Sequence, residues 1–207
     1  MSIDIAYVRR SIDAALGLAV RDNRAWSGFD LTAEGFFRSF VAVVVVMPLN
    51  IVIDILATNV AIRKRIDEGQ PVLGSYETSD AVFSTVALCV QSLIFPIAMI
   101  FVLRFLGLAH RYSALVIAHN WGTVVVVALN IPAYALATIG LLSPDQAFDL
   151  TFIVLGLTLY YRFYITQTAL DAGWSTAGSI TLLDFLLQIY FAVGASVTAG
   201  LWLPAAS

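Results

Sequence analysis

The side chains of this protein best equipped for chemistry are ionisable and amide groups set inside long apolar runs. Arg162 sits in Tyr160-Tyr161-Arg162-Phe163-Tyr164, His119 and Asn120 in His119-Asn120-Trp121-Gly122, and Asp184 and Gln188 in the last apolar run of the chain. A second set comprises Asn50, Asp54, Gln91 and Asn130. Charged groups within a hydrocarbon layer are costly, about 2.5–3.5 kcal/mol on insertion scales, so they turn to the interior of a helix bundle, pair there, and mark ion or proton routes.

Converting position into depth makes these groups comparable. With a rise of about 1.5 Å per residue, Arg162 and Asp184 lie about five and six residues from the centres of their runs, both roughly 8 Å to the same side of the midplane. The connection between the two runs, Asp171-Ala172-Gly173-Trp174-Ser175, is short, which makes their helices antiparallel neighbours. An Arg162–Asp184 ion pair is therefore expected, because either charge alone is expensive in lipid. His119 and Asn120 fall at a similar depth, and Gln188 is one turn from Asp184. The cluster reads either as a polar pocket or proton-linked site, or as an interhelical clamp that fixes the register of the bundle. Asn50 and Asp54 are four residues apart and share a helix face. Asp54 has no basic partner at its own depth, so it is held neutral, reaches water, or meets Arg63 or Lys64 reaching back from the next connection.

Other chemistries are poorly supplied. The two histidines, His110 and His119, have no Gly-x-Ser-x-Gly nucleophile, no HExxH and no paired carboxylates beside them, and neither a P-loop nor a Gly-x-Gly-x-x-Gly occurs. The single cysteine, Cys89, lies in an apolar run and reads as a small buried hydrophobe. No catalytic residue, metal or other cofactor is expected.

The elements that must position these groups follow from hydropathy. Of 207 residues, 60% are hydrophobic and only 12% charged, against about a quarter in soluble domains, and the mean hydropathy is +0.88. With about 20 apolar residues needed per span, the chain reads as an all-α integral membrane protein, a bundle of about five transmembrane helices over 36–59, 81–106, 113–142, 147–169 and 179–203. Asp30 or Thr32 caps the first span and Asp80 the second. The segment around Arg63-Lys64-Arg65 opens the longest loop, and Ser143-Pro144-Asp145 is a break and restart. Residues 1–29 form a separate unit, an amphipathic helix with Ile5, Val8, Ile12, Leu16 and Ala19 on its apolar face, which either lies at the membrane interface or packs on the cytoplasmic end of the bundle, followed by a loop. The N-terminus, acidic before its basic pair, makes a poor cleavable signal, so the mature chain is expected to begin at or near Met1.

Net charge is -3, from 11 Lys+Arg and 14 Asp+Glu, and the basic residues are scattered, so nucleic acid is not a partner. Eight of them, Arg9, Arg10, Arg21, Arg24, Arg38, Arg104, Arg111 and Arg162, fall on the side of the N-terminus, against Arg63, Lys64 and Arg65 opposite. The imbalance puts the N-terminus in the cytoplasm of a multi-pass protein of the cell (inner) membrane.

In plan, an N-terminal segment, five spans over about 30–203 and almost no tail, the chain resembles the Yip family of Rab-interacting membrane proteins and its bacterial relatives. The Asp-Leu-Tyr-Gly-Pro signature of eukaryotic members is absent, and Phe29-Asp30-Leu31-Thr32 is the nearest segment to it. The resemblance implies a membrane-organising, non-enzymatic role and carries over no functional residues. The expectation is a non-catalytic accessory subunit or scaffold, with membrane lipids and a protein within the membrane as partners. The alternatives are a small transporter or channel subunit coupling protons or ions through Asp54 or the Arg162/Asp184 cluster, and a lipid- or quinone-binding enzyme.

Overall fold

Thr32 starts the first long helical segment by chemistry that is local. Its hydroxyl accepts from the Gly35 N–H at 3.1 Å, satisfying one of the donors that a helix start leaves free. The Asp30 carboxylate braces the cap, accepting from the Thr32 N–H at 3.1 Å and its hydroxyl at 2.6 Å. That hydroxyl bond is the chief reason the Asp30 carboxyl is held below its ordinary range, with burial opposing it. A Cβ at Gly35 would fall 2.0 Å from the Asp30 carbonyl oxygen, so only glycine fits the turn.

The computed structural model describes residues 4–71 and 74–202, with side chains as far as Gly194. Among them are seven α-helices and no strand: α1 Ile5–Ala19, α2 Ala33–Ser39, α3 Val41–Asp67, α4 Thr78–Phe105, α5 Tyr112–Thr138, α6 Pro144–Leu170 and α7 Trp174–Trp202. Five stretches are long and apolar enough to cross a membrane: Ala33–Asp67, which joins α2 and α3, then Thr78–Phe105, Ala109–Thr138, Pro144–Leu170 and Trp174–Gly194. Successive long helices run antiparallel. One end of the bundle, the near end, carries α1 and the starts of α3, α5 and α7; the far end carries the α3–α4 and α5–α6 connections.

Element boundaries depart from expectation where polar residues serve helix ends. Instead of giving way to a loop after residue 59, α3 continues through Arg63-Lys64-Arg65 to Asp67, because cations suit a helix C-terminus. Each of the first two is also tied to a neighbour. Arg63 Nη1 donates to the Ala137 carbonyl at 3.0 Å, and Lys64 Nζ to Asp145 at 2.7 Å. Neither reaches Asp54. Glu77 rather than Asp80 caps α4, and Asp80 closes the box by accepting from the Glu77 N–H at 2.8 Å. Ser143 and Gln146 make a similar box ahead of α6, with Pro144 at its first position, so α6 begins before 147 and α5 ends at Thr138 rather than 142. α7 begins at Trp174 rather than 179, and residue 203 lies outside the described residues.

The face that α1 buries also differs. Tyr7, Ser11, Ala14, Ala15 and Leu18 pack inward, whereas Ile5 and Leu16 of the expected face are 84% and 49% exposed. The helix has two apolar stripes roughly a third of a turn apart. The one containing alanines and a serine lets α1 approach closely enough for the Tyr161 hydroxyl of α6 to reach the Ala15 carbonyl at 2.7 Å. Tyr7 meets Trp121 of α5 edge-on, centroids 5.7 Å apart. α1 thus packs on the near end of the bundle, one of its two expected placements, and the segment after it, Asn23–Gly28, is a 3-10 turn rather than a loop.

α5 is the central helix. Half of its most apolar window is buried, against 11–22% for the other four candidate spans, and it packs against α3 and α6 most extensively. Gly122 makes part of this possible, since a Cβ there would fall 2.7 Å from Ile165 Cδ1. The face of α5 bearing His119, Asn120 and Thr123 borders a cavity.

Candidate functional site

Arg162 of α6 is 6% exposed, and a guanidinium so buried needs acceptors. α5 supplies two. Nη1 donates to the His119 carbonyl at 2.9 Å and Nη2 to Thr123 Oγ1 at 2.8 Å. Thr123 can accept there because its own hydroxyl proton goes back to the His119 carbonyl at 3.0 Å, the usual four-residue bond of a helical threonine. Arg162 Nε is buried without a partner.

The His119 ring stacks on Phe95 of α4, with centroids 3.7 Å apart and planes 9° from parallel, and its Nε2 lies 3.3 Å from Asp184 Oδ2 of α7. Gln188 Nε2 donates to the other carboxylate oxygen at 3.0 Å. The expected direct Arg162–Asp184 ion pair is therefore not the arrangement found: His119 takes the place beside Asp184, and Arg162 binds the backbone of that same residue. Asn120 Nδ2 turns to Ser39 of α2 at 2.9 Å.

These groups line a cavity of about 240 Å³ between α3, α4, α5, α6 and α7. All five residues of the expected cluster, His119, Asn120, Arg162, Asp184 and Gln188, are in its wall, and so are Asn50 and Gln91 of the second set. A larger and more open cavity of about 630 Å³ adjoins it toward the far end, lined by Asp54, Thr58, Tyr76, Asp80 and Ser84 together with Asn50, Leu88 and Gln91. Asn50 Nδ2 donates to Asp54 Oδ2 at 3.1 Å and to Ser84 Oγ at 2.8 Å, and Ser84 donates to Asp54 in a short bond. Tyr76, in the α3–α4 connection, has a buried hydroxyl without a partner. Burial first, then the Asp54 and Asp80 charges, push its phenol above the ordinary range.

Eight of the nine polar residues singled out in the sequence thus meet at two adjoining cavities. Asn130 does not. Its Nδ2 bonds the Val126 carbonyl of its own helix at 2.9 Å, and it borders neither space. Thr123, Ser84, Tyr76 and Phe95 were not anticipated. Helical spacing holds the signal for two of them: Thr123 is four residues from His119, and Ser84 seven from Gln91, so each shares a face with a polar residue already noted. Among the described residues, no group of three or more His, Cys, Asp or Glu is placed to hold a metal ion.

Fold and site together define a class: an all-helical protein with five helices apolar enough to cross a membrane, enclosing polar space between them. Comparison with protein-family models, with curated proteins and with solved structures gives no match.

Proposed function

We propose that the chain is a small membrane transport protein that passes a proton or other ion along the polar line from Asp54 to Asp184. The observation that carries this reading is the shared wall: Asn50, Leu88 and Gln91 border both cavities, so the spaces that hold the two acids adjoin. Ionisable groups within apolar helices mark ion and proton pathways, and here they fall in sequence from one end of the bundle toward the other. The far-end cavity is the more open of the two, which suits a route entered from that side. The membrane setting belongs to the same proposal, with the near end in the cytoplasm because eight of the eleven basic residues gather there.

The test uses the purified full chain in liposomes across imposed gradients of H⁺, Na⁺ and K⁺. The reading predicts a flux above that of protein-free liposomes, reduced by Gln91→Leu, which removes an amide from the shared wall. A chain that passes none of the three ions, and is recovered from mild detergent with a stoichiometric partner, would instead be an accessory subunit.

A further inference from the structure

We infer that the species carried is the proton, held in turn at Asp54 and at the His119–Asp184 pair. The inference rests on the transport reading and gives that route its substrate.

The two cavities differ in what they offer a cation. The far-end space has two carboxylates, Asp54 and Asp80, with the Tyr76 and Ser84 hydroxyls, and no Lys or Arg in its wall. Positive charge is favoured there. A metal ion or an amine moving on toward Asp184 meets a different lining. Arg162 is fixed in that wall by two hydrogen bonds to α5; a guanidinium has only N–H donors and keeps its proton, so it repels any free cation. Both oxygens of Asp184 are already engaged, one by His119 Nε2 and one by Gln188. A second cation there would find no oxygen cage, and the described residues contain no cluster suited to a metal.

A proton needs neither cage nor space. It is stored as the neutral carboxylic acid of Asp54 or Asp184, or on the imidazole of His119, and Arg162 offsets the Asp184 charge when the proton leaves. Each transfer breaks one O–H or N–H bond and forms another, so no further reactant enters. The near-end cavity, at about 240 Å³, has room for several water molecules, each about 30 Å³ in the liquid. Water is also the carrier that the Asn50 and Gln91 amides can orient between the two acids. The charged and titratable groups facing Asp184 are His119 from α5 and Arg162 from α6, while α3 and α4 contribute the neutral Asn50 and Gln91. Those facing Asp54 are Tyr76 and Asp80.

The experiment places the full chain in liposomes containing a trapped pH dye, with a potassium gradient and valinomycin setting the potential in sodium-free buffer. Acidification of the lumen above that of protein-free liposomes is expected, with loss to that background in both Asp54→Asn and Asp184→Asn, and partial recovery in Asp184→Glu. Circular dichroism and elution profiles of the same preparations separate lost transport from lost folding. Sodium or potassium flux in separate ion gradients without valinomycin, with no acidification in this assay, would overturn the proton while leaving the transport reading standing; absence of every flux would remove both. Proton flux undiminished in folded Asp54→Asn and Asp184→Asn would overturn the assignment of these two sites.

Discussion

The two cavities on either side of Gln91 are built on different electrostatic plans. Around the near-end one, a cation and an anion are both buried, and three side chains are bonded to another helix: Arg162 to α5, Asp184 to His119, Asn120 to Ser39. Around the far-end one, Asp54 has only the neutral Asn50 and Ser84 as hydrogen-bond partners, and the wall is more open. The contrast teaches that a polar residue in an apolar helix can be a fastener, a functional group, or both, and that its partners indicate which. Near-end polar groups connect helices, so removing one loosens the bundle. Asp54 ties α3 to α4 through a single serine, so replacing its charge should alter function and leave the fold.

The largest effect that would sharpen this contrast is Arg162→Ala. It removes two interhelical bonds and leaves Asp184 uncompensated, and breaking a buried charge arrangement in this way costs about 3–5 kcal/mol. Thermal unfolding in detergent should show the loss, whereas Asp54→Asn, keeping both partners, should stay within about 1 kcal/mol of the parent. Equal losses in the two variants would erase the distinction between the cavities. Next in size is Asn120→Ala, which leaves the fully buried Ser39 hydroxyl short of its α5 partner; about 1–3 kcal/mol is expected, read by the same unfolding curves. At the far end, Lys64→Ala removes a partly exposed bridge to Asp145 and should lower stability only slightly, and less in high salt. The smallest effects are in pH. Asp30 contributes stability that is present above the ordinary carboxylate range and lost as pH falls through its lowered value. Tyr76 contributes stability present below the ordinary tyrosine range and lost as pH rises through its raised value. Unfolding midpoints measured in Asp30→Ala and Tyr76→Phe should flatten at the acid and alkaline limbs respectively.

Much of the fold was legible because the five apolar runs are long and their interruptions few. The site was legible for a related reason: amides and charges are conspicuous in such runs, and eight of the nine noted reach a cavity wall. What depth along a helix does not give is azimuth. Arg162 and Asp184 are level, but the direction in which each side chain leaves its helix depends on packing, and His119 of α5 stands beside Asp184 instead. Asn130 looked equivalent to Asn50, yet a carbonyl one turn back on its own helix satisfied it. In α1 two apolar stripes competed, and the choice was made by the partner, whose tyrosine needed to reach a backbone carbonyl past an alanine. Helix α3 runs past the expected span because its cations suit a helix C-terminus, and Ser143-Pro144-Asp145, read as a break and restart, is where α6 itself starts.

The binding of Arg162 to α5 also bears on how the chain is made. Of the five candidate spans, the one containing α6 has the lowest hydropathy, 1.3, and it carries a guanidinium. Its acceptors, the His119 carbonyl and Thr123, precede it in the chain and have already left the ribosome when Arg162 emerges; Asp184 follows later. On the membrane setting proposed above, α6 need not enter the lipid as an isolated charged segment. It can enter as the second arm of a hairpin whose first arm already holds the acceptors for its charge, so the order of synthesis and the order in which the bonds become available are the same.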